Sequence, residues 1–396
     1  MDKKAIMIFG VGELQKSIIE RAKKMGLFVV GIDPCAEAYC RDVVDAFEIV
    51  GGQDYEGTLA VARKYNVSAI ATSATDKPLV MMAKVAKEMK LPCFSLAAAH
   101  NATDKFLMKQ HFFEGGVPCA KGKLIKNIEE AKDLVFPVII KPRDNSGSRG
   151  VILCHTKDEL QKAMEESFQY TRLDSLLVEE FIEGQAYSIE GFHYNGKSTV
   201  YQFTEKRCTP FPYTAELGHK QPAILTDKQK DDIRDIVSKI GKCLDFDNCP
   251  SHTELKINQR GIFVLETSPR LGGDYNASTL VPLSTGINIE DQLLRISLNE
   301  EPNLSTGRND KSSAICWICL PEGTIEDIDS QFYDVPSWPK VKSFGFNLKI
   351  GDKVNQITNS LNRYGHFIVQ ADTREEIDSI MSEYEQKINS FFKIKQ

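Results

Sequence analysis

Apolar and polar positions alternate along the first hundred residues in short blocks that predict strands separated by helices. Buried strands are predicted at 5–9, 28–32 and 69–72, and helices at 13–25, 59–65 and 79–89. This order of elements predicts a small parallel sheet with crossover helices. A further helix is predicted to start in 101–104, where N-cap residues cluster, and to end near 114, before a Gly-Gly-Val-Pro sequence.

Beyond residue 118 the pattern changes to that of an α+β protein. Strands are predicted at 137–141, 151–154, 176–182, 187–193, 199–204, 253–257 and 262–266, and helices at 159–168 and 228–243. Asn195-Gly196 predicts a tight turn between two of the strands. The segment 302–311 is rich in Ser, Gly, Asn and Asp and predicts a domain boundary, followed by short strands and a last helix at 374–392.

Composition narrows the class of protein. A chain of 396 residues suits two or three domains, and 42 % hydrophobic with 26 % charged residues is ordinary for a soluble globular protein. The net charge of -6 gives no electrostatic reason to expect nucleic acid, and no apolar stretch approaches the ~20 residues of a membrane helix. The ten cysteines are scattered, which favours a reducing compartment. We therefore expect a cytoplasmic protein without nucleic-acid or membrane partners.

The predicted hairpin at 253–266 carries two glutamates that suggest a metal site. If residues 259–261 form a three-residue loop, with Gly261 in the left-handed conformation, Glu254 lies directly opposite Glu266 on one face. Two bare carboxylates with Cβ atoms roughly 4.5–5.5 Å apart repel each other. A divalent cation such as Mg²⁺ or Mn²⁺ would turn that repulsion into coordination. Pairing of one carboxylate with a lysine or arginine, or a slipped register, is the alternative.

A loop at 144–150 follows the strand that ends at Lys141. Its glycines, hydroxyl groups and free backbone N–H groups can surround phosphate oxygens, and Lys141 can add a fixed positive charge. The spacing does not match a P-loop. An exposed turn is the alternative interpretation.

Two further segments allow nucleotide contacts. The apolar strand around 177–182 ends in acidic residues, so its backbone and a carboxylate can read an adenine edge, although solvated glutamates at a strand end explain it equally. Gly10-Val11-Gly12, with Asp33 ending the second strand, is similar to a dinucleotide fingerprint. Gln15 occupies the third glycine position, which argues against NAD.

Taken in order, these pieces resemble the ATP-grasp superfamily, in the branch of carbamoyl-phosphate synthetase, biotin carboxylase and the amino-acid ligases. The resemblance rests on five segments in matching order over nearly the whole chain: 103–118, 138–151, 178–184, the glutamate pair, and 266–273. The run Asn362-Arg363-Tyr364-Gly365, followed by 373–376, is similar to the tail of biotin-carboxylase-type members.

The resemblance implies an α/β and α+β chain of three domains. They are a Rossmann-like preATP-grasp domain at 1–102, an ATP-grasp domain at 103–301 with ATP and metal between two lobes, and a small C-terminal α+β domain at 302–396. It also implies ATP and Mg²⁺ (or Mn²⁺) as cofactors, small-molecule carboxylate and amine substrates, and a homodimer.

The resemblance also implies roles for individual residues. The nucleotide would be bound by Lys105, Lys141, Ser146, Gly147, Ser148, Glu179, Glu180, Phe181 and Ile182. Glu254, Glu266 and Ser268 would hold the metal, and Arg270, with Lys141, would stabilise the transferred phosphoryl group. The substrate candidates are Glu216, His219, Gly273 and Asp274.

Two positions depart from the family pattern. Ala186 stands where many relatives have a ribose-binding glutamate, which puts the ribose contact in doubt. Ser268 replaces an asparagine metal ligand, although a hydroxyl oxygen can also coordinate Mg²⁺.

The expected activity is an ATP-dependent carboxylate–amine ligation through an acyl phosphate, with release of ADP and phosphate. A carboxylase acting through carboxyphosphate, and an ATP-binding module without turnover, remain as alternatives.

Overall fold

The computed structural model describes residues 3–303 and 310–396. The predicted boundary at 302–311 therefore lies largely outside the described residues. The strands, in chain order, are β1 Ala5–Phe9, β2 Phe28–Asp33, β3 Ala46–Ile49, β4 Ala69–Ala71, β5 Gly122–Ile125, β6 Val138–Lys141, β7 Ile152–Cys154, β8 Leu176–Glu180, β9 Gln185–Tyr194, β10 Lys197–Cys208, β11 Glu216–Gln221, β12 Cys249–Asn258, β13 Gly261–Ser268, β14 Ser312–Trp317, β15 Gly323–Ile328, β16 Val341–Phe346, β17 Lys353–Val354, β18 Gly365–Ala371 and β19 Phe392–Lys395.

Ten α-helices lie between these strands in the described parts of the chain. They are α1 Lys16–Lys24, α2 Tyr55–Lys64, α3 Leu79–Met89, α4 Leu96–Thr103, α5 Lys105–Glu114, α6 Lys157–Phe168, α7 Asp227–Cys243, α8 Val281–Thr285, α9 Ile289–Ser297 and α10 Arg374–Ser390. None of the helices within 3–303 and 310–396 is long and apolar enough to cross a membrane.

The first part of the chain folds as the predicted parallel sheet. Its strand order is β3-β2-β1-β4, and β1 pairs in parallel with both β2 and β4. After β4 come α3 and α4, and then α5, at whose start the carboxylate of Asp104 accepts hydrogen bonds from the backbone N–H groups of Phe106 and Leu107. That cap fixes the position of Lys105 at the first turn of α5.

Two antiparallel sheets follow. The smaller has the order β5-β8-β6-β7 and places the end of β6 beside β8. The larger has eight strands in the order β13-β12-β9-β10-β11-β14-β18-β16. The turn Asn195-Gly196 joins β9 and β10 as predicted, because both residues take the positive φ that such turns require.

The larger sheet contains strands from both sides of the predicted 301/302 boundary. The boundary stays a prediction. β11 pairs with β14, so strands on both sides of that boundary share one ladder of hydrogen bonds. A separate three-stranded sheet, β17-β15-β19, closes the C-terminal part.

The β12–β13 hairpin brings Glu254 and Glu266 opposite each other, as predicted, but by a different route. Asn258 pairs with Gly261, so the tip has two residues rather than three, and Gly261 has a φ of 130°. If this register continued along the hairpin, Glu254 would pair with residue 265 rather than with Glu266. A β-bulge next to Leu255 restores the register, which shows that the predicted loop length was wrong while the predicted pairing was correct.

Candidate active site

One cavity of about 1140 Å³ collects almost all of the predicted site residues. It is lined by the ends of β6 and β8, by one face of β10 to β13, and by loops from the first and last parts of the chain. Single ligand pockets usually measure roughly 300–1,000 Å³. The cavity therefore has room for a nucleotide and a second small molecule.

Glu254 and Glu266 both reach this cavity, and each is held by a lysine. Lys105 Nζ lies 3.0 Å from Glu266 Oε2, and Lys206 Nζ lies 2.9 Å from Glu254 Oε2. Burial opposes ionisation of Glu254, but the ammonium group of Lys206 outweighs it and lowers the pKa of Glu254 to about 2. This carboxylate is therefore an ionised oxygen donor, as a hard divalent cation requires.

Buried charge also surrounds Lys141 at the end of β6. Its Nζ lies 2.8 Å from Glu179 Oε2, and Lys109 Nζ lies 2.9 Å from Glu179 Oε1. Burial, reinforced by the neighbouring Lys109, holds the pKa of Lys141 well below its usual range, and burial lowers the pKa of Lys109 to about 8. Two lysines thus share one carboxylate, so an anionic ligand would relieve an excess of positive charge.

The loop at 144–150 forms the cavity wall above Lys105. Lys105 Nζ donates a hydrogen bond to the Asn145 carbonyl oxygen at 2.6 Å, and the Ser148 hydroxyl donates to the Thr214 carbonyl oxygen at 3.1 Å. Gly147 and Ser148 both have positive φ, which bends the backbone tightly. The predicted residues Ser146, Gly147 and Ser148 all line the cavity.

The predicted adenine-reading segment forms an apolar slot. Phe181 meets Phe211 edge to face with ring centroids 5.1 Å apart, and the ammonium group of Lys256 lies 4.9 Å from the Phe181 ring centroid. Lys256 also donates to the Ile182 carbonyl oxygen at 2.9 Å, and Glu180 accepts from the backbone N–H of Lys121 at 3.1 Å. These contacts fix the backbone that borders the slot.

Arg270 lies in the cavity wall and is fixed by Asp76, which precedes α3. Two hydrogen bonds of 2.8 and 2.9 Å join the guanidinium group to the carboxylate. Burial opposes ionisation of Asp76, but Arg270 lowers the pKa of this carboxyl to about 2. The Ser268 hydroxyl donates to the same carboxylate at 2.6 Å. Ser268 therefore lies behind Arg270 and is not among the residues that line the cavity.

The predicted substrate residues cluster at the other end of the cavity. The imidazole of His219 lies between two carboxylates, with Nε2 3.6 Å from Glu216 Oε2 and 3.7 Å from Asp274 Oδ2. Glu216, Gly273 and Asp274 line the cavity, whereas the His219 side chain is fully buried behind them. Burial opposes protonation of His219, but the two carboxylates raise its pKa.

Several site residues were missed by sequence reasoning. Asp76, Lys109, Lys206 and Arg363 each pair with a predicted residue, His252 lies 3.5 Å from Glu254, and Glu190 in turn pairs with His252. Glu190 accepts hydrogen bonds from His252 Nδ1 at 2.6 Å and from the Gly272 backbone N–H at 3.0 Å. The spacing His252-x-Glu254, which puts both side chains on one face of β12, is the one signal that could have pointed to His252.

Comparisons with known proteins agree with this geometry. Residues 134–278 match the model of an ATP-grasp domain, residues 76–189 that of a RimK-like ATP-grasp domain, and residues 317–390 that of an L-amino acid ligase C-terminal domain 2. An L-amino acid ligase from Bacillus licheniformis shares the fold, with a TM-score of 0.84 and 20 % identity over 100 % of this chain and 99 % of that one.

Two curated relatives are similar in sequence. Alanine–anticapsin ligase of Bacillus amyloliquefaciens is 26 % identical over 64 % of this chain, and the match spans 58 % of that relative's length. Formate-dependent phosphoribosylglycinamide formyltransferase of Wolinella succinogenes is 28 % identical over 67 % of this chain and 69 % of its own length. The chain therefore carries an ATP-grasp domain and an L-amino acid ligase C-terminal domain, and the proteins that it resembles include ATP-grasp ligases.

Proposed function

We propose that this chain uses Mg-ATP to phosphorylate the carboxylate of an amino-acid-type substrate, which an amine then attacks to form an amide bond. The observation that carries the proposal is the face-to-face pair Glu254 and Glu266, in one cavity with Lys105, Lys141 and Arg270. Paired carboxylates among cationic groups suit a metal ion and a polyphosphate together.

The proposed reaction has two steps, phosphoryl transfer and amine attack, and in each step one bond forms while another breaks. A carboxylate oxygen forms a bond to the γ-phosphorus while the bond from that phosphorus to ADP breaks. The amine nitrogen then bonds to the acyl carbon, the carbon–oxygen bond to phosphate breaks, and one proton is released. The products are an amide, ADP and phosphate.

The residues of the chain supply charge and position for both steps. Glu254 and Glu266 would hold Mg²⁺, which neutralises phosphate charge when bound. Lys105 and Lys141 would bind phosphate oxygens, and Arg270, fixed by Asp76, would stabilise charge on the transferred phosphoryl group. The slot beside Phe181 and Ile182 would take the adenine, with Glu179 and Glu180 at its border.

The L-amino acid ligase C-terminal domain and the named amino-acid ligase relative support an amino-acid-type substrate. Glu216 and Asp274 would face its ammonium group, since both carboxylates reach the cavity beyond Glu254. The homodimer, the use of Mn²⁺ and the cytoplasmic location stay predictions.

A phosphate-release screen tests the proposal. Pairs of amino acids are incubated with Mg-ATP, and a parallel set contains bicarbonate without an amine. We expect release with at least one pair and near-complete loss in Glu266→Gln, while the exposed control Glu88→Gln keeps the rate.

Three outcomes would contradict the proposal. Equal release by Glu266→Gln and the unchanged protein would remove the metal assignment. Release that needs bicarbonate and no amine would favour a carboxylase. ATP binding without release in any pair would favour a module without turnover.

A further inference from the structure

The guanidinium group of Arg363 reaches the substrate end of the cavity from the C-terminal part of the chain. It belongs to the Asn362-Arg363-Tyr364-Gly365 run, to which the proposed reaction assigns no role. Two short hydrogen bonds of 2.6 and 2.7 Å join it to both oxygens of Asp274, and a third of 3.1 Å joins it to the Glu216 carbonyl oxygen.

Stacking completes the placement of this side chain. The Arg363 guanidinium carbon lies 3.7 Å from the ring centroid of Trp317, and only 9 % of the residue is exposed. A planar group that is stacked on one face and makes two parallel hydrogen bonds has a single orientation. Asp274 therefore has a fixed position on the cavity wall.

The loop that carries Asp274 needs this support. Asp274 and Tyr275 both have positive φ, of 52° and 61°, a left-handed conformation that is unfavourable for a residue with a side chain. The loop is fixed at four successive points: Arg270 by Asp76, Gly272 by Glu190, Asp274 by Arg363, and Tyr275 by a 3.0 Å hydrogen bond to Glu13. Arg363 belongs to the C-terminal part of the chain, and through its bonds to Asp274 it helps to fix the segment that follows Arg270.

Asp274 is half of a convergent pair of carboxylates. One oxygen from Glu216 and one from Asp274 lie within 4.8 Å of each other, with His219 between them. Lys206 pairs with Glu216, as Arg363 does with Asp274, so each carboxylate stays ionised beside the cavity. An ammonium group on the cavity side of this pair, opposite His219, would meet two oriented acceptors.

We infer that Arg363 is a positioning residue, which holds Asp274 so that the substrate's ammonium group is recognised. This inference rests on the proposed function and assigns a task to the C-terminal domain in it. Loss of Arg363 weakens binding of the amino-acid substrate and spares the nucleotide end, because none of the contacts of its guanidinium group reaches Lys105, Lys141 or Glu266 among the residues described.

Kinetics of Arg363→Lys and Arg363→Met test the inference with the pair found in the phosphate-release screen. We expect the KM for the amino-acid substrate to rise about 10–100-fold, as for other residues that orient a contacting group. The KM for ATP stays within about twofold. Lysine fails as well, because its ammonium group neither makes two parallel bonds nor stacks on Trp317.

Arg374→Lys is the matched control. Arg374 is also 9 % exposed, lies in the same part of the chain, and pairs with Glu205 at 3.1 Å. It keeps the KM for the amino acid within about twofold, whatever stability it loses. An equal rise in both KM values for Arg363→Lys, or no rise, would overturn the inference.

Direct binding decides the matter if the variants turn over poorly or if the ligase reaction itself is wrong. The unfolding temperature is followed with increasing amounts of each amino acid, in the presence of a non-hydrolysable ATP analogue. The unchanged protein is stabilised by an amino acid, and Arg363→Lys and Asp274→Asn lose that stabilisation. If no amino acid stabilises the unchanged protein, or if both variants retain the effect, the inference fails.

Discussion

Arg270 and Asp76 form a two-pronged ion pair across 194 residues of sequence, with hydrogen bonds of 2.8 and 2.9 Å. Asp76 belongs to the part of the chain that carries the parallel sheet, whereas Arg270 follows β13. The first part of the chain thus orients a cation at the centre of the proposed phosphoryl-transfer site.

Asp76→Asn tests that relationship. The amide keeps the size of the side chain but removes the charge that orients Arg270, so we expect kcat to fall about 10–100-fold with ATP binding largely retained. Steady-state rates and a nucleotide titration measure the two effects separately. A rate equal to that of the unchanged protein would show that Arg270 needs no such partner.

Lys206→Met removes the cation shared by Glu216 and Glu254. Two largely buried carboxylates then lack the ammonium group that they share, and we expect a loss of about 3 kcal/mol in the free energy of unfolding. Added Mg²⁺ recovers part of this loss if Glu254 binds the metal. Urea unfolding with and without MgCl₂ measures both effects.

Lys23→Met is the control for Lys206→Met. Lys23 pairs with Asp45 at 3.1 Å on a more exposed surface, so the loss should stay below about 1 kcal/mol and should not respond to Mg²⁺. Similar losses in the two variants would contradict the assignment of Lys206 to a buried charge cluster.

Gly272→Ala and Gly273→Ala form a matched pair of neighbours. A Cβ atom at Gly272 would lie 2.3 Å from Glu190 Oε1 and 2.7 Å from His252 Nδ1, whereas at Gly273 its nearest neighbour is Ala74 Cβ at 3.5 Å. We expect a loss of about 1–3 kcal/mol for Gly272→Ala and about 0.5 kcal/mol or less for Gly273→Ala. Thermal unfolding compares the two variants. Equal unfolding midpoints would show that Glu190 and His252 can move away from the added methyl group at little cost in stability.

His193→Gln tests the pH dependence of stability. Burial lowers the pKa of His193 from 6.5 to about 4. Its Nδ1 atom forms a 2.9 Å hydrogen bond with the Ser198 hydroxyl, and its Nε2 atom forms one of the same length with the Ser251 hydroxyl. The imidazole of His193 binds a proton more tightly in the unfolded chain than in the folded one. The free energy of unfolding is therefore highest above pH 6.5 and decreases as the pH falls towards 4. The total is about 3 kcal/mol, at 1.36 kcal/mol per pK unit.

We therefore expect the urea midpoint of His193→Gln to fall less steeply than that of the unchanged protein between pH 6.5 and 4.5. The exposed control His155→Gln keeps the original slope. Identical slopes for His193→Gln and the unchanged protein would contradict the assignment.

Local geometry explains which features of the site the sequence predicted. Glu254 and Glu266 belong to one hairpin, so their pairing follows from turn chemistry and strand alternation, although the bulge beside Leu255 could not be foreseen. Lys141 and the loop that follows it are likewise adjacent in sequence.

The missed residues meet their partners only through tertiary packing. Lys206 on β10 reaches Glu254 on β12 across the larger sheet, and Arg363 reaches Asp274 from the loop just before β18, near the other side of that sheet. In sequence, each resembles an ordinary solvated cation. The metal role of Ser268, taken from its position in a motif, stays a prediction, and its hydroxyl group donates a hydrogen bond to Asp76.

The ladder between β11 and β14 bears on how such a chain can be divided. Separating the central part from the C-terminal part would remove β14 from β11, which stays paired with β10, and would leave a row of unpaired N–H and C=O groups along the exposed edge of β11. Such an edge recruits strands from other molecules, so either fragment alone would tend to aggregate. We therefore expect the whole chain to be more soluble than a fragment that ends between β11 and β14.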